Sequence, residues 1–250
     1  MKFPILLPNI FNHPFTYESD LDLKVGDYVV VPFGKSKITG VVWDEFEKKN
    51  NKDFKLKTIF KKLNVTPLKK TTIKFLNWFA EYNIIPKGMA LKLVLLSSNA
   101  VEISQKDVFK IFKTKIATNT IKLSDEQQKS LRKMNISNEQ FRVHVLQGTT
   151  GSGKTIVYFS ALKEIIKKGF QGLILLPEIG LTSQFEKKFL EFFGIVPAIW
   201  HSGISKKRKE IIWSGVANGE IKVVIGARSS LFLPFKKMGL IIVDEEHDQS

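Results

Sequence analysis

The sequence predicts an α/β protein: a small, partly closed β-barrel-like domain followed by a P-loop lobe built on a parallel sheet. Three observations lead there. Short β-branched runs separated by tight turns occupy the first hundred residues. From Ser124 onward, apolar runs alternate with amphipathic helical stretches. The octet GTTGSGKT, Gly148–Thr155, opens one of those helices.

Each element has its own justification. In residues 1–97, Val25–Pro32 and Ile38–Trp43 read as strands about the turn Gly34–Ser36, and Leu56–Phe60 reads as a third strand. Thr66 and Pro67 open a helix with Ile73, Leu76, Phe79 and Tyr82 at helical spacing. Residues 98–122 are polar and too short for a domain, which makes them a linker. In residues 123–250 the candidate strands are Arg142–Gln147, Leu173–Leu176, Pro197–Trp200, Lys222–Ile225 and Leu240–Val243. One helix runs from Lys154 to Lys168, with Tyr158, Ala161, Leu162 and Ile165 on its apolar face and Gly169 as its stop. Another starts at the capping box formed by Ser183 and Glu186 and ends at Gly194. Strands of this kind alternating with helices make a parallel sheet covered on both faces.

Composition narrows the function classes. The formal charge is +15, with 20 basic against 11 acidic residues in 1–120 and 19 against 13 in 121–250. Both halves therefore suit a polyanion. Lysine supplies nearly all of the positive charge beside much Phe, Ile and Asn, a bias that AT-rich coding also produces, so charge alone is weak support. The absence of cysteine excludes disulfides and cysteine-ligated zinc within these residues. The start MKFPILLPNI has no signal-peptide pattern, and no apolar run approaches the roughly 20 residues of a membrane span. The expectation is a soluble intracellular protein with no membrane partner.

The octet matches G-x-x-x-x-G-K-[ST] through Gly148, Gly153, Lys154 and Thr155. Glycines at 148, 151 and 153 let backbone N–H groups turn inward toward phosphates, with Thr149, Thr150 and Ser152 completing the loop. Lys154 brings a point charge to the β- and γ-phosphates, Thr155 offers a hydroxyl to Mg²⁺, and the helix dipole points at the same anion. About ninety residues later Leu240–Val243 delivers Asp244 and Glu245 to the carboxyl end of a strand. Acids there often cap a helix. Paired with the loop, they read as a magnesium-holding Asp244 and a Glu245 that orients or deprotonates the attacking water.

The segments LLPEIGLTSQF (Leu175–Phe185), HSG (His201–Gly203), IGARSSLFLPF (Ile225–Phe235) and DEEH (Asp244–His247) come in the order found in superfamily 2 helicases. Their wording, with VGDYVVVPFGK, GVVW, LKTIF and WFAEYNIIPKG upstream, resembles the PriA family of bacterial primosomal replication-restart helicases. The resemblance implies a 3′-DNA-end-binding N-terminal domain and a first RecA-like lobe. It also implies ATP with Mg²⁺ as cofactors, 3′–5′ unwinding and a bacterial cytoplasmic location. Forked or single-stranded DNA with a 3′ end, primosome proteins and single-stranded-DNA-binding protein are the implied partners. It places Gln127 at the adenine edge, Gly180, Thr182, Arg228 and Ser229 on the DNA backbone, and His247 as the coupling residue. Phe15, Thr16, Gly34 and Lys57 fall on the 3′-end pocket.

Three features depart from the family pattern. Thr16 stands where an aspartate is usual, Ala227 replaces the threonine of GTRS, and residues 98–122 leave no room for the usual winged-helix domain. The second lobe, with its arginine finger and the zinc-binding cysteines, belongs to a part beyond Ser250. The expectation is a PriA-like N-terminal portion, a fragment or truncated product, with little turnover alone. The alternative is a fork-binding module that binds nucleotide without hydrolysis.

Overall fold

The structure is a computed structural model that describes residues 1–46, 55–95, 100, 108, 112, 122–134, 141–149, 151–177 and 183–244. The chain divides into two compact units. The first comprises Met1–Val108, Ile204–Asn218 and Phe232–Lys236, and the second comprises Phe109–Gly203, Gly219–Leu231 and Lys237–Ser250.

The first unit holds strands β1 (Lys2–Leu6), β2 (Phe15–Glu18), β3 (Tyr28–Phe33), β4 (Ser36–Val42) and β5 (Lys61–Lys62), in the spatial order β2-β1-β4-β3-β5. All pairs are antiparallel. The hairpin β3–β4 turns at Gly34 and Lys35, and Gly34 has φ +58, which favours glycine. The sheet curls toward closure: Glu18 N–H donates to the Lys57 carbonyl at 3.1 Å, and Ile59 N–H donates to the Glu18 carbonyl at 3.0 Å. The expected strand Leu56–Phe60 is thus an isolated bridge to β2, and the named strand is the short β5 that follows it. Ile5, Leu7, Tyr17, Val29, Val31, Val42 and Ile59 fill the inside. Full burial of each aliphatic side chain contributes about 1.5–3 kcal/mol.

Helix α1 (Lys70–Tyr82) begins after the expected Thr66–Pro67, because the Leu68 N–H is held by the Gly26 carbonyl at 2.8 Å. Its buried face is Ile73, Leu76 and Ala80, whereas Tyr82 is 73% exposed rather than in the core. Helix α2 (Lys87–Val94) follows.

The second unit opens with α3 (Asp125–Lys133), capped by a reciprocal Ser124–Gln127 box. Helices α4 (Lys154–Lys167) and α5 (Ser183–Phe193) cover a sheet of β6 (Gln171–Leu175), β7 (Ala198–Trp200), β8 (Val223–Gly226) and β9 (Met238–Val243). The order is β7-β8-β6-β9, and every pair is parallel. Phe159, Phe189, Phe192 and Phe193 form an edge-on and stacked aromatic cluster within the core. Gly172 and Gly239 let α4 approach, since a Cβ at either would lie 2.0 Å from Leu162 or 2.7 Å from Ile165.

The helix α6 (Lys206–Asn218) lies in sequence between β7 and β8 yet belongs to the first unit. Trp213 anchors it there: its Nε1–H donates to the Val94 carbonyl at 2.6 Å, and its ring meets Tyr28 edge-on at 5.7 Å.

One expected strand is missing. Residues Arg142–Gln147 join no ladder, and Phe141, Val143 and Val145 are 93%, 78% and 90% exposed. The alternation is right for a strand, but a strand exists only by pairing, and β9 keeps an unpaired edge among the described residues.

Candidate functional site

The phosphate loop has the local geometry that its glycines require. Gly151 and Gly153 sit at φ +81 and +83, in the left-handed region. A Cβ at Gly153 would stand 2.4 Å from the Gln127 amide, and one at Gly148 would stand 2.7 Å from Ser152 Oγ. Gly153 is the N-cap of α4 and supplies no side-chain cap, so the helix start offers its N–H groups outward. Lys154 folds back over the loop, its Nζ donating to the carbonyls of Gly148 at 2.7 Å and Thr149 at 3.1 Å. Lys154 thus closes the loop through two carbonyls, beside the start of a helix whose dipole favours an anion. Thr155 lies in the first turn of α4 beside it.

Gln127 is held from two sides. Its Oε1 accepts from the Ser124 N–H at 3.0 Å, and its Nε2 donates to the Ser152 carbonyl at 3.3 Å. The residue expected at a base edge therefore touches the loop itself.

The parallel sheet sets the far side. Register pairs Leu175 with both Gly226 and Val243, and Trp200 with Gly226, so the four carboxyl ends share one edge. Asp244 stands at that edge, its N–H donating to the Leu175 carbonyl at 3.1 Å. Its Oδ2 accepts from the Tyr158 hydroxyl at 2.7 Å. Sequence periodicity assigned Tyr158 to the apolar face of its helix and gave it no role at the site. The available signal was a phenol rather than a phenyl at a buried position, because a buried hydroxyl needs a partner. Thr155 and Asp244 are hard oxygen donors of the kind that suit magnesium held jointly with phosphates.

Arg228 and Ser229 lie exposed on a short 3₁₀ turn, Arg228–Phe232, directly after β8 at the same edge. The turn is fixed from below. Ala227 N–H donates to the Trp200 carbonyl at 3.1 Å, and Ser230 Oγ donates to the Ala227 carbonyl at 2.6 Å. Thr150, Gly180, Thr182, Glu245 and His247 fall outside the described residues.

In the barrel, Phe15 begins β2 half-buried against the core, edge-on to Phe11 at 5.3 Å and to Phe33 at 5.4 Å. His13 tilts against it at 5.0 Å. Phe15 therefore serves the core and an aromatic cluster that periodicity alone did not single out. Gly34 follows Phe33 directly, with nothing within 4 Å of where a Cβ would be. Thr16 is half-buried, opposite Pro4 across β1–β2. The Lys57 side chain is exposed beside its backbone bridge to Glu18, two residues from Thr16.

Comparison with known proteins separates the same two regions. Residues 4–96 match the family model described as the 3′DNA-binding domain (3′BD) of PriA, and residues 120–250 match the model described as the res subunit of type III restriction enzymes. Over 254 aligned residues the chain is 41% identical to the replication restart protein PriA of Rickettsia conorii, covering 98% of this chain. The chain belongs to the PriA family. The PriA of Haemophilus influenzae is 28% identical, again over 98% of this chain, and that of Bacillus subtilis is 38% identical over 53% of this chain and 17% of its own length. The chain spans 37% of the Rickettsia relative's length and 43% of the Haemophilus relative's. Its kinship with PriA and its mixed α/β architecture with a RecA-like lobe agree with the sequence expectation. Among the described residues no helix is long and apolar enough to cross a membrane.

Proposed function

We propose that this chain is the DNA-end-binding and nucleotide-binding portion of an ATP-dependent 3′–5′ DNA helicase that acts at forked DNA in replication restart. The barrel, residues 1–97, takes the 3′ end: Phe15 stacks on the terminal base, Thr16 accepts or donates a hydrogen bond at the sugar, Gly34 admits the backbone, and Lys57 meets a phosphate. The lobe from residue 123 takes ATP. The loop N–H groups and Lys154 hold its phosphates, Gln127 reads adenine, Thr155 and Asp244 hold magnesium, and Glu245 orients or deprotonates the attacking water. Magnesium, when bound, neutralises charge developing on the phosphates. Gly180, Thr182, Arg228 and Ser229 grip the single strand without reading bases, and His247 couples the two ligands.

The observation that carries this reading is the left-handed, lysine-crowned loop Gly148–Thr155 in one chain with a barrel matched to a 3′DNA-binding domain. The division at residues 98–122, with no winged-helix domain, gains support from alignment lengths. The match to Haemophilus runs over 318 positions against 254 for Rickettsia, so one relative carries extra residues that the other does without. We further assign the bacterial cytoplasm, and primosome and single-strand-binding proteins as partners of the full-length family member, whose second lobe would carry the arginine finger and zinc.

The test is ATP hydrolysis by the 250-residue chain with and without forked DNA carrying a 3′-ended leading strand, beside Glu245→Gln. DNA-stimulated hydrolysis abolished by the substitution supports an ATPase portion. Fork and nucleotide binding with no turnover assigns the engine to the second lobe. Absence of nucleotide binding refutes the reading.

A further inference from the structure

We propose that Phe60 and Lys37, on the outer wall of the barrel, form a second DNA subsite that takes the single-stranded segment just 5′ of the terminal nucleotide. The inference rests on the 3′-end reading above and extends it to two residues to which neither the motif spacing nor the family match gives a role.

The local backbone explains why a phenylalanine stands outside. Ile59 and Leu63 are 4% and 5% exposed and anchor the closing segment in the barrel. Between them Phe60, Lys61 and Lys62 are all exposed, which strict strand alternation would not give. The Phe60 N–H donates to the Val30 carbonyl at 2.9 Å, yet the register sets Val30 opposite Lys61. Two residues thus oppose one, as in a β-bulge, a device that re-aims side chains. Phe60 is left 52% exposed. Lys37, on β4 opposite Pro32 of β3, reaches over it with its Nζ 4.3 Å from the ring centroid.

An exposed aromatic ring beside an ammonium is the unit from which sequence-tolerant single-strand grooves are built, with a base on the ring and a phosphate on the cation. Placement supplies the occupant. Lys37 is three residues from Gly34 along β4, and Phe60 is three residues from Lys57 along the closing segment. Three extended residues span about 10 Å. Both members therefore lie one short step from the proposed end pocket, on the two segments that supply its Gly34 and Lys57. A strand whose last nucleotide fills the pocket has its next nucleotides within their reach. The charge suits a polyanion. Lys35, Lys37 and Lys57 are exposed, whereas of the acids on the barrel Asp27 is matched by Lys62 at 2.6 Å and Glu18 accepts from the Thr58 hydroxyl at 3.3 Å.

The experiment follows the fluorescence anisotropy of a 5′-labelled single strand of about twelve nucleotides, titrated with the full 250-residue chain across a salt series. The strand ends in a free 3′-hydroxyl, in a 3′-propyl block, or in a free hydroxyl with an abasic residue second or third from that end. The proteins are wild type, Phe60→Ala, Phe60→Trp and Lys37→Gln. Phe60→Ala is expected to weaken binding about 5- to 150-fold, and Phe60→Trp to bind at least as tightly as wild type. The abasic strand should lose affinity for wild type but not for Phe60→Ala, because both changes remove one contact. Lys37→Gln should lower the log–log salt slope by about 0.7. Wild type that senses the 3′ block while Phe60→Ala binds like wild type overturns the subsite and leaves the end pocket standing. Equal abasic losses in wild type and Phe60→Ala also overturn it, as does a Phe60→Ala loss on duplex DNA with none on the single strand. Wild type indifferent to the 3′ block overturns the end-pocket reading, and this subsite with it.

Discussion

Two glycines of the phosphate loop share a backbone conformation but not a surrounding, and that difference yields a controlled prediction. Gly151 and Gly153 have φ +81 and +83, and an alanine at either carries the same left-handed penalty of about 1–2 kcal/mol. At Gly151 the new Cβ meets nothing within 4 Å. At Gly153 it stands 2.4 Å from the Gln127 amide nitrogen, which must withdraw and break its bond to the Ser152 carbonyl. That adds about 0.5–1.5 kcal/mol. Because the loop is exposed, the alanine chain escapes strain by leaving the binding conformation, and the penalty appears in nucleotide affinity. Gly153→Ala is expected to weaken ATP-analogue binding about 10- to 400-fold, and Gly151→Ala about 5- to 30-fold, with Gly153→Ala the weaker binder of the two. The melting temperature should barely change. Fluorescence titration and a thermal melt on each variant decide it. Equal losses, or a larger loss at Gly151, would refute the argument that Gln127 braces the loop.

Other outcomes follow from single contacts. Trp213→Phe removes the donor to a buried carbonyl and should cost the first unit about 1–3 kcal/mol in denaturant titration, with nucleotide affinity unchanged. The Tyr28 hydroxyl is buried with no hydrogen-bond partner among the described residues, and burial pushes its pKa up from the ordinary phenol range. Its contribution is fully present below pH 10 and is lost as pH rises past the unfolded phenol's value, so Tyr28→Phe should flatten the alkaline fall in stability without lowering stability at neutral pH. Arg228→Ala should weaken single-stranded DNA binding uniformly across sequences and reduce the log–log salt slope by about 0.7, measured by fluorescence anisotropy. Gln127→Ala should lower the preference for ATP over GTP, while also losing a helix-cap contact of about 1 kcal/mol.

What the sequence made legible is what short-range chemistry decides. The loop Gly148–Thr155 and the helix after it are local, because positive φ at glycine and an uncapped helix start need no distant partner. The buried positions Ala161, Leu162 and Ile165 on α4 were legible from a period of 3.6. Pairing is not local. Residues 142–147 alternate like a strand yet lie outside the sheet, because alternation specifies faces and not a neighbour. Unit membership is equally non-local: α6 sits among the lobe's strands in sequence, and one buried indole gives it to the barrel's unit. Tyr82 had helical spacing with Ile73, Leu76 and Phe79, but at the last turn it is exposed beside Trp78. Tyr158 was read as grease because its ring is buried, and only the structure shows where its hydroxyl goes.

The function proposed above gives one chain two separable ligand sites, a nucleotide loop and a 3′-end pocket. Its most direct test titrates the full chain with a fluorescent ATP analogue and, separately, with forked DNA whose leading strand ends in a 3′-hydroxyl or is blocked there. Wild type, Lys154→Ala and Phe15→Ala are compared. Lys154→Ala is expected to lose nucleotide binding and keep the fork, Phe15→Ala to do the reverse, and a blocked 3′ end to weaken only the fork. Nucleotide binding indifferent to Lys154, or fork binding indifferent to the 3′ end, would contradict it.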